Sequence, residues 1–157
     1  MIPLNTEILV QYCELREEIK DLRSRIDQSR KRLDKIETEG VVSDTVTGTR
    51  DDGTIGPIKI TGFPMPEYDT VKAMLKKRIV KLQILEEELH EAVHKVDDFI
   101  NAIPKSELRM IFRLYYLDDN SWIQVAKIMN KKFPKRKYTE DSCRMKHNRY
   151  LEKSEEN

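Results

Sequence analysis

Asp118-Asp119-Asn120-Ser121-Trp122-Ile123-Gln124-Val125-Ala126-Lys127-Ile128-Met129 is the stretch on which the fold of this chain turns. Three successive short polar side chains compete for backbone hydrogen bonds and break the helix before them. Ser121 followed three residues later by Gln124 is a capping-box signature: the hydroxyl takes one orphan N–H and the amide reaches back to the cap. Trp122, Val125, Ile128 and Met129 then recur at helical spacing, so the new helix has an apolar face. Upstream, Leu108, Ile111, Phe112 and Tyr115 form another stripe, on a helix expected to open at Pro104, because proline suits the first helical position. Downstream, Asn130–Tyr138 reads as a basic loop. Thr139, with Glu140 and Asp141 behind it, opens a last helix of about fourteen residues.

Toward the N-terminus the pattern changes twice. Between Asn5 and Glu39, Ile8, Tyr12, Leu15, Ile19, Leu22, Ile26, Leu33 and Ile36 make a heptad seam with Ser29 as its polar interruption. A helix of that length is about 50 Å long. Between 40 and 66 the punctuation is dense: Gly40, Gly48, Gly53, Gly56, Pro57, Gly62, Pro64 and Pro66. Among them stand β-branched Val41, Val42, Val46, Ile55, Ile58 and Ile60, with Asp52-Gly53 as a turn signal. Two short extended pieces are expected there, a β-hairpin being their natural pairing. From Glu67 to Ala102 heptads return in Tyr68, Val71, Leu75, Leu82, Leu85, Leu89, Ala92, Val96 and Phe99, with Arg78 out of pattern. Two matched helices joined by a compact connector predict an antiparallel hairpin. The seams fit a second copy of the chain equally well, so homo-oligomerisation through the heptads stays open. The fold class expected is mainly α. Residues 1–103 would form a coiled-coil helical hairpin with an extended or β connector at 40–66, and 104–157 a helix-turn-helix.

With 36% charged and 38% hydrophobic residues, the chain suits long solvated helices better than one thick core. No apolar run approaches the roughly 18 residues of a membrane span, and the N-terminus lacks a signal-peptide pattern. Cys13 and Cys143 have no CxxC partner. A bacterial cytoplasm, with no membrane partner, is the expected location. The net charge of +1 conceals an asymmetry. Residues 1–103 hold 16 Lys+Arg against 20 Asp+Glu, whereas 104–157 hold 13 against 8. Within Lys127–Arg149 there are nine basic and two acidic residues, a concentration that suits a polyanion, although a solvated basic surface has the same composition.

On the last helix, Cys143, His147 and Tyr150 share one face by their spacing, and that face is assigned to the core. The rest is rich in amide and cationic groups, which can read base edges and grip phosphates of double-stranded DNA. Base contact is expected from Ser142, Arg144, Met145 and Asn148, near the helix start, and phosphate contact from Lys146 and Arg149. In the loop, Lys131-Lys132-Phe133-Pro134-Lys135-Arg136-Lys137 carries five cations, and Lys135, Arg136 and Lys137 are expected to clamp the DNA backbone. Trp122 is expected in the core rather than stacked on a base.

Several residues carry a resemblance: Ile103-Pro104, Arg109-Met110-Ile111-Phe112, Leu114-Tyr115-Tyr116-Leu117, Ser121-Trp122, Gln124-Val125-Ala126, Thr139-Glu140-Asp141-Ser142-Cys143-Arg144 and Arg149. Over about fifty residues they resemble region four of bacterial sigma factors, which implies a scaffold helix, a turn and a recognition helix, with RNA polymerase as a further partner. The whole chain, through its heptads, the Val41-Val42-Ser43-Asp44 to Ile60-Thr61-Gly62 connector and this module, resembles small phage-encoded regulators of the RinA/ArpU type. That resemblance implies a late-gene transcription activator. The loop of about nine residues departs from the three or four of a tight helix-turn-helix.

His90-Glu91-Ala92-Val93-His94 matches the H-E-x-x-H pattern of zinc proteases. On the seam register of Leu89, Ala92 and Val96 both histidines face solvent, and no nucleophile–base pair, Walker loop or dinucleotide fingerprint is visible. No catalytic residue, metal or cofactor is expected. The competing function is a coiled-coil structural or DNA-packaging assembly protein of the terminase small-subunit kind, although there the DNA module is expected first in the chain.

Overall fold

The computed structural model describes residues 5–39, 42–49, 51–62 and 65–156. It is mainly helical, with one small sheet: α1 (Asn5–Glu39), β1 (Val42–Thr49), β2 (Ile55–Gly62), α2 (Met65–Asn101), α3 (Ser106–Phe112), a π-helical segment (Arg113–Leu117), α4 (Trp122–Lys132) and α5 (Glu140–Glu156). The expectations placed on Gly40, Val41 and Pro64 lie outside the described residues.

The chain divides into two compact units, one of residues up to Glu18 with those from Leu85 on, the other Ile19–Ile84. The division cuts both long helices and differs from a single boundary at residue 103. The reason lies in one apolar cluster: Leu9 and Tyr12 of α1 are buried with Val96, Phe99 and Ile100 of α2, with Ile103, and with Phe112 and Tyr116. The beginning of α1 therefore completes the interior of the C-terminal module.

In the Ile19–Ile84 unit the seam residues Ile19, Ile26, Leu33 and Val71 are buried, while Leu22, Leu75 and Leu82 are half-buried. Ser29, the interruption of the first seam, is 5% exposed. Its hydroxyl donates to Arg25 O at 3.0 Å and accepts from Arg78 Nη1 at 2.5 Å. Arg78 is the residue out of pattern in the second seam, so the two polar exceptions answer each other. Arg32 pairs with Glu67, and Tyr68 donates to Glu37 at 2.7 Å. These contacts join residues 29, 32 and 37 of α1 to 78, 67 and 68 of α2. The two strands pair antiparallel, Val42 opposite Gly62 and Thr49 opposite Ile55. Gly53 at φ +84° supplies the turn, and Asp52 Oδ1 accepts from the Thr54 N–H at 3.0 Å and its hydroxyl at 2.6 Å.

In the other unit, α3 starts at Ser106 behind extended Lys105, not at Pro104. Arg109 Nη1 holds the preceding carbonyls of Ile103 and Pro104 at 2.6 and 3.0 Å, which keeps that corner out of the helix. Asp118 N–H returns to Arg113 O, the wide turn of a π-helix. The break falls where Asp118-Asp119-Asn120 places it: Asp119 has φ +56°, and Asn120 closes onto Leu114 O with both its backbone and its amide nitrogen. The capping box of Ser121 and Gln124 is formed in both directions. α4 runs through Lys132, so the basic loop is shorter than read from sequence, spanning 133–139. Asn130 explains this: its side chain brackets Tyr138, accepting from Tyr138 N and donating to Tyr138 O at 2.7 and 2.8 Å. A second cluster, Ile111, Val125, Ala126, Met129, Tyr138 and Cys143, ties α3, α4 and α5 together.

Candidate nucleic-acid interface

α5 is built to display a helix start. Thr139 Oγ1 accepts from Ser142 N at 3.1 Å, and Ser142 Oγ accepts from Thr139 N at 2.9 Å, a reciprocal cap that satisfies two orphan groups. Ser142 is thereby half-buried and committed to the cap. The helix has 17 residues, longer than the fourteen read from sequence. Cys143 and His147 are buried and Tyr150 half-buried, as their spacing predicts. Burial raises the Cys143 thiol above its usual range.

His147 is the centre of the inner face. Phe112 lies 4.8 Å from its ring, Trp122 5.0 Å and Tyr115 5.7 Å. Trp122 is half-buried and stacks on Tyr115 at 4.0 Å and 9°, an internal stacking partner in place of a base. Burial pushes the Tyr116 phenol up, so it stays protonated and donates to His147 Nε2 at 2.7 Å. Burial likewise pushes His147 below the usual histidine range, against an opposing hydrogen bond with Asn148. The bonding then assigns the tautomer: Nε2 accepts, and Nδ1–H donates to Asn148 Oδ1 at 2.9 Å. A neutral relay from the core thus orients an exposed amide.

On the outer face, Arg144, Met145, Asn148 and Arg149 are exposed. Arg144 Nη2 is 2.6 Å from Asp141 Oδ1, one turn back. In the loop, Lys135, Arg136 and Lys137 are exposed, with Arg136 5.8 Å over the Phe133 ring. The residue that sequence reasoning missed is Glu107. Its carboxylate takes Lys146 Nζ at 2.5 Å on one oxygen and Arg136 on the other. The Lys146 hydrogen bond, above all, holds its carboxyl below the usual glutamate range. Lys146 also sits 5.0 Å over Tyr138. Two of the expected phosphate-binding cations are thus tethered to one anion on α3, a long-range contact with no local signal. Beside it, Lys105, Lys146, Arg149 and Lys153 surround a groove of about 430 Å³ floored by Leu108 and Tyr150.

His90 and His94 are exposed, their rings 4.9 Å apart. Among the described residues no group of three or more potential ligands gathers around a metal-sized site, and no helix is long and apolar enough to cross a membrane.

No family model, curated protein or solved structure matches the chain.

Proposed function

We propose that the protein is a sequence-specific DNA-binding regulator of transcription whose α5 enters the major groove. The observation that carries this reading is the capped start of α5, where exposed Arg144, Met145 and Asn148 project from a helix whose other side is fixed by buried Cys143 and His147. A recognition helix needs that combination, because side chains reach base edges only from a rigid, correctly aimed support. Asn148 and Arg144 supply base-edge chemistry, while Arg149 and the loop cations Lys135 and Lys137 supply phosphate contacts. Ser142 serves by shaping the helix start, and Lys146 and Arg136 reach phosphate by leaving Glu107 for it.

In this reading α3 to α5 form a helix-turn-helix of the sigma region four kind, and α1 with α2 an antiparallel coiled-coil hairpin. The role is late-gene activation in a phage, with RNA polymerase as the protein partner. Arg144→Ala should cost about 1–3 kcal/mol on the preferred duplex and much less on a scrambled one. Arg149→Ala should weaken both alike and reduce the salt slope by about 0.9. Fluorescence titration of both duplexes at several salt concentrations measures this. Identical losses for the two variants would refute the division of labour, and no loss from either would remove α5 from the interface.

A further inference from the structure

α2 carries a second face that neither the seam nor the DNA reading uses. At 100° per residue, Lys76, Lys77, Val80, Ile84, Glu87 and Glu88 fall within about 60° of one line along the helix. All six are exposed, Val80 at 56% and Ile84 at 47%. Val71 and Leu85, on the opposite side of the helix, are buried. Single exposed aliphatic residues are ordinary. Two of them one turn apart, between a pair of lysines and a pair of glutamates, are not.

We propose that this face pairs with the same face of a second copy of the chain, antiparallel, about a two-fold axis at Leu82. The order of residues is self-complementary about that point. Val80 of one copy meets Ile84 of the other, and the lysine pair at 76–77 meets the glutamate pair at 87–88, twice over. A parallel, in-register pairing sets lysines against lysines and glutamates against glutamates, which is unfavourable. The charges therefore select both the partner and its direction, as isologous contacts require. The apolar part is small, two aliphatic side chains from each copy, well below the roughly 1,000 Å² of a durable interface. The dimer is accordingly weak and sensitive to salt, because exposed ion pairs are screened over about 10 Å at 0.1 M. None of the six residues lies on α5 or its loop, so the inference stands apart from the DNA reading.

Analytical ultracentrifugation of the full chain tests it, from a few micromolar to about 200 μM, a range chosen for an interface of this size, at low and high salt. The parent should show a monomer–dimer equilibrium that weakens with salt. Val80→Glu should weaken it about tenfold or more, the loss of buried apolar contact on both copies. The double variant Lys76→Glu/Lys77→Glu and the double variant Glu87→Lys/Glu88→Lys should each be monomeric alone and should dimerise with each other when mixed, since both charge contacts are then restored. Circular dichroism checks folding, with Ile84→Gln as the substitute should Val80→Glu unfold. A parent that stays monomeric throughout overturns the proposal. So does a dimer that these variants leave intact, or a mixture that remains monomeric.

Discussion

Phe112 and Ser29 stand in two different kinds of interior. Phe112 is fully buried among Phe99, Tyr116, His147 and Tyr150, with ring centroids 4.8 to 6.3 Å apart in that cluster. Helix ends, a π-turn and the start of α1 all converge there. Ser29 lies in a single-file seam, where Ile19, Ile26 and Leu33 are buried but their neighbours Leu22 and Ile36 are half open. Aromatic convergence gives stability through area and shape. A thin seam gives less per helical turn, and there one polar pair matters more for register than for energy. The first interior draws on several elements at once, whereas the second rests on a few buried positions along a long helix.

The largest expected effect breaks the aromatic interior. Phe112→Ala should cost about 3–5 kcal/mol, and hydrogen exchange should show lost protection over α3 to α5 first. Ile26→Ala should cost about 2–4 kcal/mol and deprotect the middle of α1 first. Equal loss everywhere in both variants would mean that the two interiors unfold as one body.

A smaller change sharpens the register argument. Ser29→Ala leaves the half-buried Arg78 without its hydroxyl partner and should cost about 1–2 kcal/mol. Ser29→Leu with Arg78→Leu should regain it, since two apolar residues complete both seams; urea denaturation compares them. A double variant no better than the single would show that residues 29 and 78 do not share one packing site.

The acid side separates the interiors further. His147 is held neutral by burial, so its folded pKa lies below its unfolded one. The unfolded chain takes up the proton first, and stability should fall as pH drops through about 6.5. His147→Gln should flatten that slope above about pH 5.5, where carboxylates such as Glu107 have not begun to titrate. An unchanged slope would place its origin elsewhere. Smallest of all, His90→Ala with His94→Ala should shift stability by less than about 0.5 kcal/mol, as both side chains are exposed. A thermal melt with and without zinc checks this, and a large zinc-dependent shift lost in the variant would reopen the metal reading.

Much of the helical order was legible in the chain itself. The break at Asp118–Asn120, the Ser121–Gln124 box, the turn at Asp52-Gly53 and the inward face of Cys143, His147 and Tyr150 each depend on residues within one or two turns of one another. The 3.6-residue period and the capping hydrogen bonds are short-range physics, so local sequence determines them. The same reasoning misplaced the start of α3 and the end of α4. Arg109 reaching back to Ile103 and Pro104, and Asn130 bracketing Tyr138, are particular side-chain bonds that periodicity does not encode. The rest belongs to tertiary structure alone. Leu9 and Tyr12 complete a core with residues more than eighty positions away, Arg78 finds Ser29, and Glu107 gathers Lys146 and Arg136. A heptad seam states only that a face is apolar, and a basic residue only that it carries charge. Which partner each one meets depends on where the chain brings distant segments together, and that is decided by packing the whole interior at once.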